Sequence, residues 1–110
     1  MENKKEMNFH EIAERSTQIR SLYQNLERQY HHKEWSIEED ALAFLTDAGL
    51  VGRLTMAREN RWPLSGETEE ELKHKLGECI WWLIVLADRM NIDIEEVLDR
   101  FLTETYEQLQ

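Results

Sequence analysis

The chain has 110 residues, about one domain's worth, of which 41% are apolar and 33% charged. Thirteen Lys and Arg stand against 23 Asp and Glu, so the formal charge is −10; a surface that acidic repels phosphate backbones and anionic bilayers, which disfavours nucleic-acid and membrane partners. One Pro and four Gly are too few turn residues for a β-sandwich or barrel.

The first residues are charged and no apolar stretch follows them, so residues 1–7 are expected to be a flexible tail rather than a secretory signal. From about residue 8 to 30 the apolar positions Phe9, Ile12, Ile19, Tyr23, Leu26 and Tyr30 recur at helical spacing, with Ser16 filling one gap. The period breaks over residues 31–35. Ser36 with Glu39 is a capping box and opens a second helix carrying Leu42, Leu45, Leu50, Leu54 and Met56. Gly49 and Gly52 inside it point to a helix or ligand approaching closely on that face.

Residues 60–66, with Pro63, Ser65 and Gly66, form a loop. Thr68 with Glu71 repeats the capping pattern and starts a third helix. It becomes apolar nearly all round from Cys79 on, which marks it as the central, most buried helix. Cys79 is the only cysteine, so no intrachain disulfide forms, and its apolar neighbours make it an inert thiol. The apolar run over residues 79–87 is too short to cross a bilayer, and a cytoplasmic protein is expected. Asp93 with Glu96 opens a last helix bearing Val97, Leu98, Phe101, Leu102 and Leu109. The expected architecture is a single-domain, all-α four-helix bundle over residues 1–110. The last three helices are too apolar for a small monomer, and Trp81 and Trp82 point about 100° apart. One of the two is therefore expected to meet a partner copy in a homo-oligomer, most simply a dimer.

Gly-rich phosphate loops, CxxC, HExxH and serine elbows are all missing. The candidate chemistry lies in acids on inward helix positions: Asp47 between Leu45 and Leu50, and Glu78 between Leu76 and Cys79. A carboxylate there needs a cation side chain or a metal ion. His74 shares a helix face with Glu78, four residues on.

The stretches Trp35-Ser-Ile-Glu-Glu-Asp-Ala-Leu, Leu45-Thr-Asp-Ala-Gly-Leu-Val and Leu76-Gly-Glu-Cys-Ile-Trp-Trp-Leu-Ile-Val-Leu-Ala-Asp-Arg-Met-Asn-Ile-Asp resemble the MazG-like, all-α nucleoside triphosphate pyrophosphohydrolases over about residues 35–101. The resemblance implies a helical bundle that associates as a dimer or a dimer of dimers. Active members hold Mg²⁺ through an ExxE pair and an ExxD pair and release pyrophosphate from nucleotides. Carried onto this chain, the ExxE positions fall on Asp47 and Leu50, and the ExxD positions on Lys75 and Glu78. Leu50 has no donor atom and Lys75 brings a cation, so two of the four ligand positions are lost.

Two arrangements remain open for the site. Lys75 neutralises Asp47 and Glu78 in a structural salt bridge, or Asp47, Glu78 and His74 keep a remnant metal site for Mg²⁺ or Mn²⁺. For a nucleotide, Trp35 is a candidate stacking ring, Lys75 a candidate contact, and Arg53, Arg58 and Arg61 a basic cluster that suits either phosphates or the helix dipole. His31 and His32 lie beside Trp35 and read as linker or as phosphate contacts. Trp62 is a lid or an interface anchor, and Asp88 and Arg89 are surface or inter-subunit partners. No catalytic residue is assigned. The expected function is at most weak metal-dependent hydrolysis of a nucleoside triphosphate to monophosphate and pyrophosphate. The alternative is a non-catalytic dimeric module that binds a nucleotide or a protein, and a third reading has an intact paralogue supplying the missing ligands.

Overall fold

The structure, a computed structural model, describes residues 6–110. Four helices follow one another: α1 (Phe9–His31), α2 (Ile37–Arg58), α3 (Thr68–Arg89) and α4 (Ile94–Leu109). No strand occurs among the described residues, so the all-α expectation holds. Of the tail expected over residues 1–7, residues 1–5 lie outside the described residues.

Local chemistry accounts for the boundaries. Asn8 caps α1 by accepting the Glu11 N–H, and His32 ends it in the left-handed region at φ 64°. The capping box at α2 forms in both directions between Ser36 and Glu39. At α4, Asp93 accepts from the Glu96 backbone N–H at 3.1 Å. The expected box at Thr68 does not form. Glu67 is the N-cap, no side chain caps the end, and Thr68 is already the first helical residue. Three glutamates in that first turn, Glu69, Glu70 and Glu71, place negative charge at the positive end of the helix dipole instead. Asn60 and Asn91 adopt positive φ just past α2 and α3. Each is followed by a backbone bond reaching five residues back, Arg61 to Met56 and Ile92 to Ala87, both 2.8 Å, as a Schellman ending requires.

As expected, α3 is the central element: it packs chiefly on α2, less on α1 and least on α4. Its buried residues, Leu72, Trp82, Ile84, Val85, Leu86 and Ala87, supply nearly all the buried apolar side chains, to which α2 adds Leu54. The apolar residues of the other helices behave otherwise. On α2, Leu42, Leu45, Leu50 and Met56 are exposed, Leu45 to 65%, and the inward line is Asp40, Asp47 and Leu54, spaced seven apart. On α1 the buried residues are Ser16 and Arg20, while Ile19, Tyr23, Leu26 and Tyr30 stay exposed. No residue of α4 is buried, and its Phe101 is 62% exposed. Among the described residues none makes the close approach expected of a helix or ligand at Gly49 and Gly52: a Cβ on either would meet nothing within 4 Å.

A chain of this mass folded into a compact monomer would expose about 6,500 Å²; this one exposes 8985 Å². Its radius of gyration, 16.9 Å, likewise exceeds the ~13 Å of a compact domain of 110 residues.

Candidate functional site

Two polar clusters run down the seam where α1, α2 and α3 meet. Both rest on the same geometry. Asp40, Asp47 and Leu54 line one face of α2, and Lys75, Trp82 and Arg89 recur every seven residues on α3. The two helices run antiparallel, so the rows confront each other in reverse order: Lys75 and Trp82 reach Asp47, and Arg89 reaches Asp40.

In the first cluster the Lys75 Nζ donates to Glu78 Oε1 at 2.8 Å and to Asp47 Oδ1 at 3.1 Å. The other Asp47 oxygen, Oδ2, accepts from the Trp82 indole N–H at 2.9 Å. Asp47 is buried and Glu78 partly so. Hydrogen bonds to Glu78 and then to Asp47 hold the Lys75 ammonium above its ordinary lysine value. His74 stands at the edge, exposed, with Nε2 3.7 Å from Glu78 Oε1. Leu50, one turn beyond Asp47, is exposed and takes no part.

Mg²⁺, the ion implied by the sequence resemblance, does not fit this donor set. Both Asp47 oxygens are engaged by donors, and Glu78 Oε1 is engaged by the same ammonium. Among the described residues no group of three His, Cys, Asp or Glu side chains comes together as a ligand set.

The second cluster is the more deeply buried, and the sequence reading missed it. Asp40 is 0% exposed. It accepts from Arg20 Nε at 3.0 Å, Arg20 Nη2 at 2.9 Å and Arg89 Nη1 at 2.9 Å. Arg20 also donates to both oxygens of Glu27, at 2.9 and 3.3 Å. Burial opposes the charge on Arg20, but the bonds from Asp40 and Glu27 outweigh it and the guanidinium is held above its ordinary value. Trp35 closes the cluster through its backbone: its N–H donates to Glu27 and its carbonyl accepts from Arg89, at 2.8 and 2.9 Å. Arg89 is thus an internal partner of Asp40 and not a surface or inter-subunit group as expected; Asp88 is exposed. Among the described residues, no buried side-chain polar atom lacks a partner.

The other candidates separate. Trp35 lines a cleft between α1 and α3 together with His31 and the Trp81 and Trp82 rings. Arg53 is elsewhere: its guanidinium carbon lies 3.5 Å from the centroid of the Trp62 ring and Nη1 donates to the Trp62 carbonyl at 2.7 Å. Arg58 pairs with Glu69 and Glu59. Trp81 has neighbours of its own within the chain. Its N–H donates to the Ser16 carbonyl at 3.0 Å and its ring lies 5.9 Å from that of Tyr23, so it docks α1 onto α3.

Comparison with known proteins returned no matching family model, no matching curated protein and no matching solved structure.

Cys79 lies beside the first cluster. Burial pushes its thiol up, and the charges of Asp47 and Glu78 add to the shift. Both Lys75 and Cys79 therefore hold their protons more tightly in the folded chain than in the unfolded one. The Lys75 contribution is complete below the unfolded lysine value of about 10.4 and is lost as pH climbs through the raised folded value; Cys79 adds a loss of the same sign from about 8.5 upward. Urea unfolding is expected to show stability falling as pH rises above about 8.5. Stability that held level or rose over that range would contradict the assignment.

Proposed function

We propose that this chain is a non-catalytic, self-associating helical module of MazG-like descent, in which an ammonium has taken the place of the metal. The observation that carries the reading is Lys75 Nζ seated between Asp47 and Glu78 at 3.1 and 2.8 Å. A Mg²⁺ ion works in pyrophosphate release by polarising the phosphate and activating a bound water. An ammonium held by two carboxylates has no open coordination position and generates no metal hydroxide. The site is then a structural clamp between α2 and α3, and the module acts by binding.

Self-association is supported by the exposed apolar residues of α2 and α4. The excess over a compact monomer is roughly 2,500 Å², well above the ~800 Å² each partner gives up in a standard interface. One experiment addresses both halves of the proposal. Sedimentation of the purified chain is expected to give a homo-oligomer, and pyrophosphate release from a panel of nucleoside triphosphates with Mg²⁺ or Mn²⁺ is expected to stay at the level of a buffer blank. Release that vanished in Asp47→Ala and Glu78→Ala would overturn the non-catalytic reading, and a monomer at micromolar concentration would overturn the association.

A further inference from the structure

The cleft between α1 and α3 has a volume of about 610 Å³, within the range of small-molecule sites. Five aromatic residues line it, Tyr23, Tyr30, Trp35, Trp81 and Trp82, together with Glu78. Tyr23, Trp81 and Glu78 also line an adjoining cleft of about 400 Å³, so the carboxylate stands where the two spaces meet.

The indole donors that α3 brings to this cleft are already committed. The Trp81 N–H goes to the Ser16 carbonyl and the Trp82 N–H to Asp47, so the indoles offer a ligand π surface. Arg20, the arginine lining the cleft, spends Nε, Nη1 and Nη2 on Asp40 and Glu27. The charges do not cancel. Arg20 and Arg89 balance Asp40 and Glu27, but Lys75 alone faces both Asp47 and Glu78. One negative charge is left over on the Glu78 side, in a chain of net charge −10. His31, at the Tyr30 end of α1, also lines the cleft; in the adjoining one, Lys73 is paired with Glu70 and His74 Nε2 lies 3.7 Å from Glu78 Oε1. A triphosphate brought here meets that surplus negative charge and engaged cations. A cation meets aromatic faces, which attract it through their quadrupoles, and a carboxylate.

We propose that this cleft binds a monovalent organic cation with an apolar body, an alkylated ammonium, held against the aromatic rings with Glu78 as its counter-charge. The inference rests on the binding-module reading above and names its ligand class. A small, strongly hydrated inorganic cation gains little from aromatic walls, whereas alkyl groups on nitrogen bury apolar surface and spread the charge over the rings.

The test is a fluorescence and calorimetric titration of the full chain with choline, beside its neutral carbon isostere 3,3-dimethylbutan-1-ol and beside ATP, at constant ionic strength. Choline is expected to quench tryptophan emission saturably, with the neutral isostere about tenfold weaker, as when a desolvated cation–π contact is lost. Glu78→Gln is expected to weaken choline roughly fivefold and to leave the isostere unchanged, because only the charged ligand feels the carboxylate. Tyr30→Ala, at a ring 67% exposed, leaves the fold intact and is expected to weaken choline as well, which keeps the test decisive if Glu78→Gln fails to fold. Equal binding of choline and the isostere, tighter binding of ATP, or no saturable binding because a second copy covers the cleft would each overturn the proposal. Pyrophosphate release from the same samples would strike at the non-catalytic reading instead, and so separates the two failures.

Discussion

Lys75→Glu, combined with Leu50→Glu, is expected to turn a chain indifferent to Mn²⁺ into one stabilised by it. The substitution removes the ammonium that Asp47 and Glu78 share and leaves carboxylates facing one another across the α2–α3 seam. Without metal, their mutual repulsion is expected to cost about 2 kcal/mol. That is less than the 3–5 kcal/mol of a broken, fully buried pair, because Lys75 and Glu78 keep some contact with water. A divalent ion reverses the sign of the argument, since it needs several oxygen ligands and repays the repulsion. At a free concentration 100-fold above its Kd it returns about 2.7 kcal/mol. Thermal unfolding with and without millimolar Mn²⁺ measures this directly. If the native chain gains as much from Mn²⁺ as the variant, the ammonium does not hold the metal's place.

Asp40→Ala is expected to be the most damaging single substitution in the molecule. Asp40 has no exposed surface and satisfies Arg20 and Arg89 together. Its removal leaves Arg20 with Glu27 alone and Arg89 without its buried carboxylate. Breaking one side of a buried ionic group costs about 3–5 kcal/mol. Total stabilities are only 5–15 kcal/mol, so a midpoint some 15–25 °C lower is expected, at about 5 °C per kcal/mol for a domain of this length. The exposed Arg100–Glu96 pair supplies the control: Arg100→Ala is expected to change stability by less than about 0.5 kcal/mol. A loss below 1 kcal/mol for Asp40→Ala would show that the cluster adds no more than a surface pair.

These two residues were unequally visible in the sequence. Lys75 stood out because it occupies a position where the resemblance puts an acid, and its partners Asp47 and Glu78 were identified as acids needing a cation. Asp40 and Arg20 carry no such mark. Asp40 lies in the acidic first turn of α2, where carboxylates are usual on dipole grounds alone, and Arg20 sits one residue after the apolar Ile19. The usable signal was spacing. Asp40 and Asp47 are seven apart on one helix, as are Lys75, Trp82 and Arg89 on another, and two such rows share a seam when the helices run antiparallel. The angle of about 100° between Trp81 and Trp82 is legible in the sequence, but that Trp81 meets Tyr23 of α1 is not.

What the sequence determined by itself was local: four helices, their order, nearly all of their ends, and α3 as the central one. Periodicity and capping groups act within a turn or two of the chain and need nothing from outside it. Only the tertiary structure decided which face of each helix turns inward. Apolar pattern misled on α1 and α2, where leucines and tyrosines remain on the surface and the acids and arginines pack inside. A buried charge is tolerable only against a partner that comes from another helix, so the rows Asp40–Asp47 and Lys75–Trp82–Arg89 acquire their meaning when α2 and α3 are laid side by side.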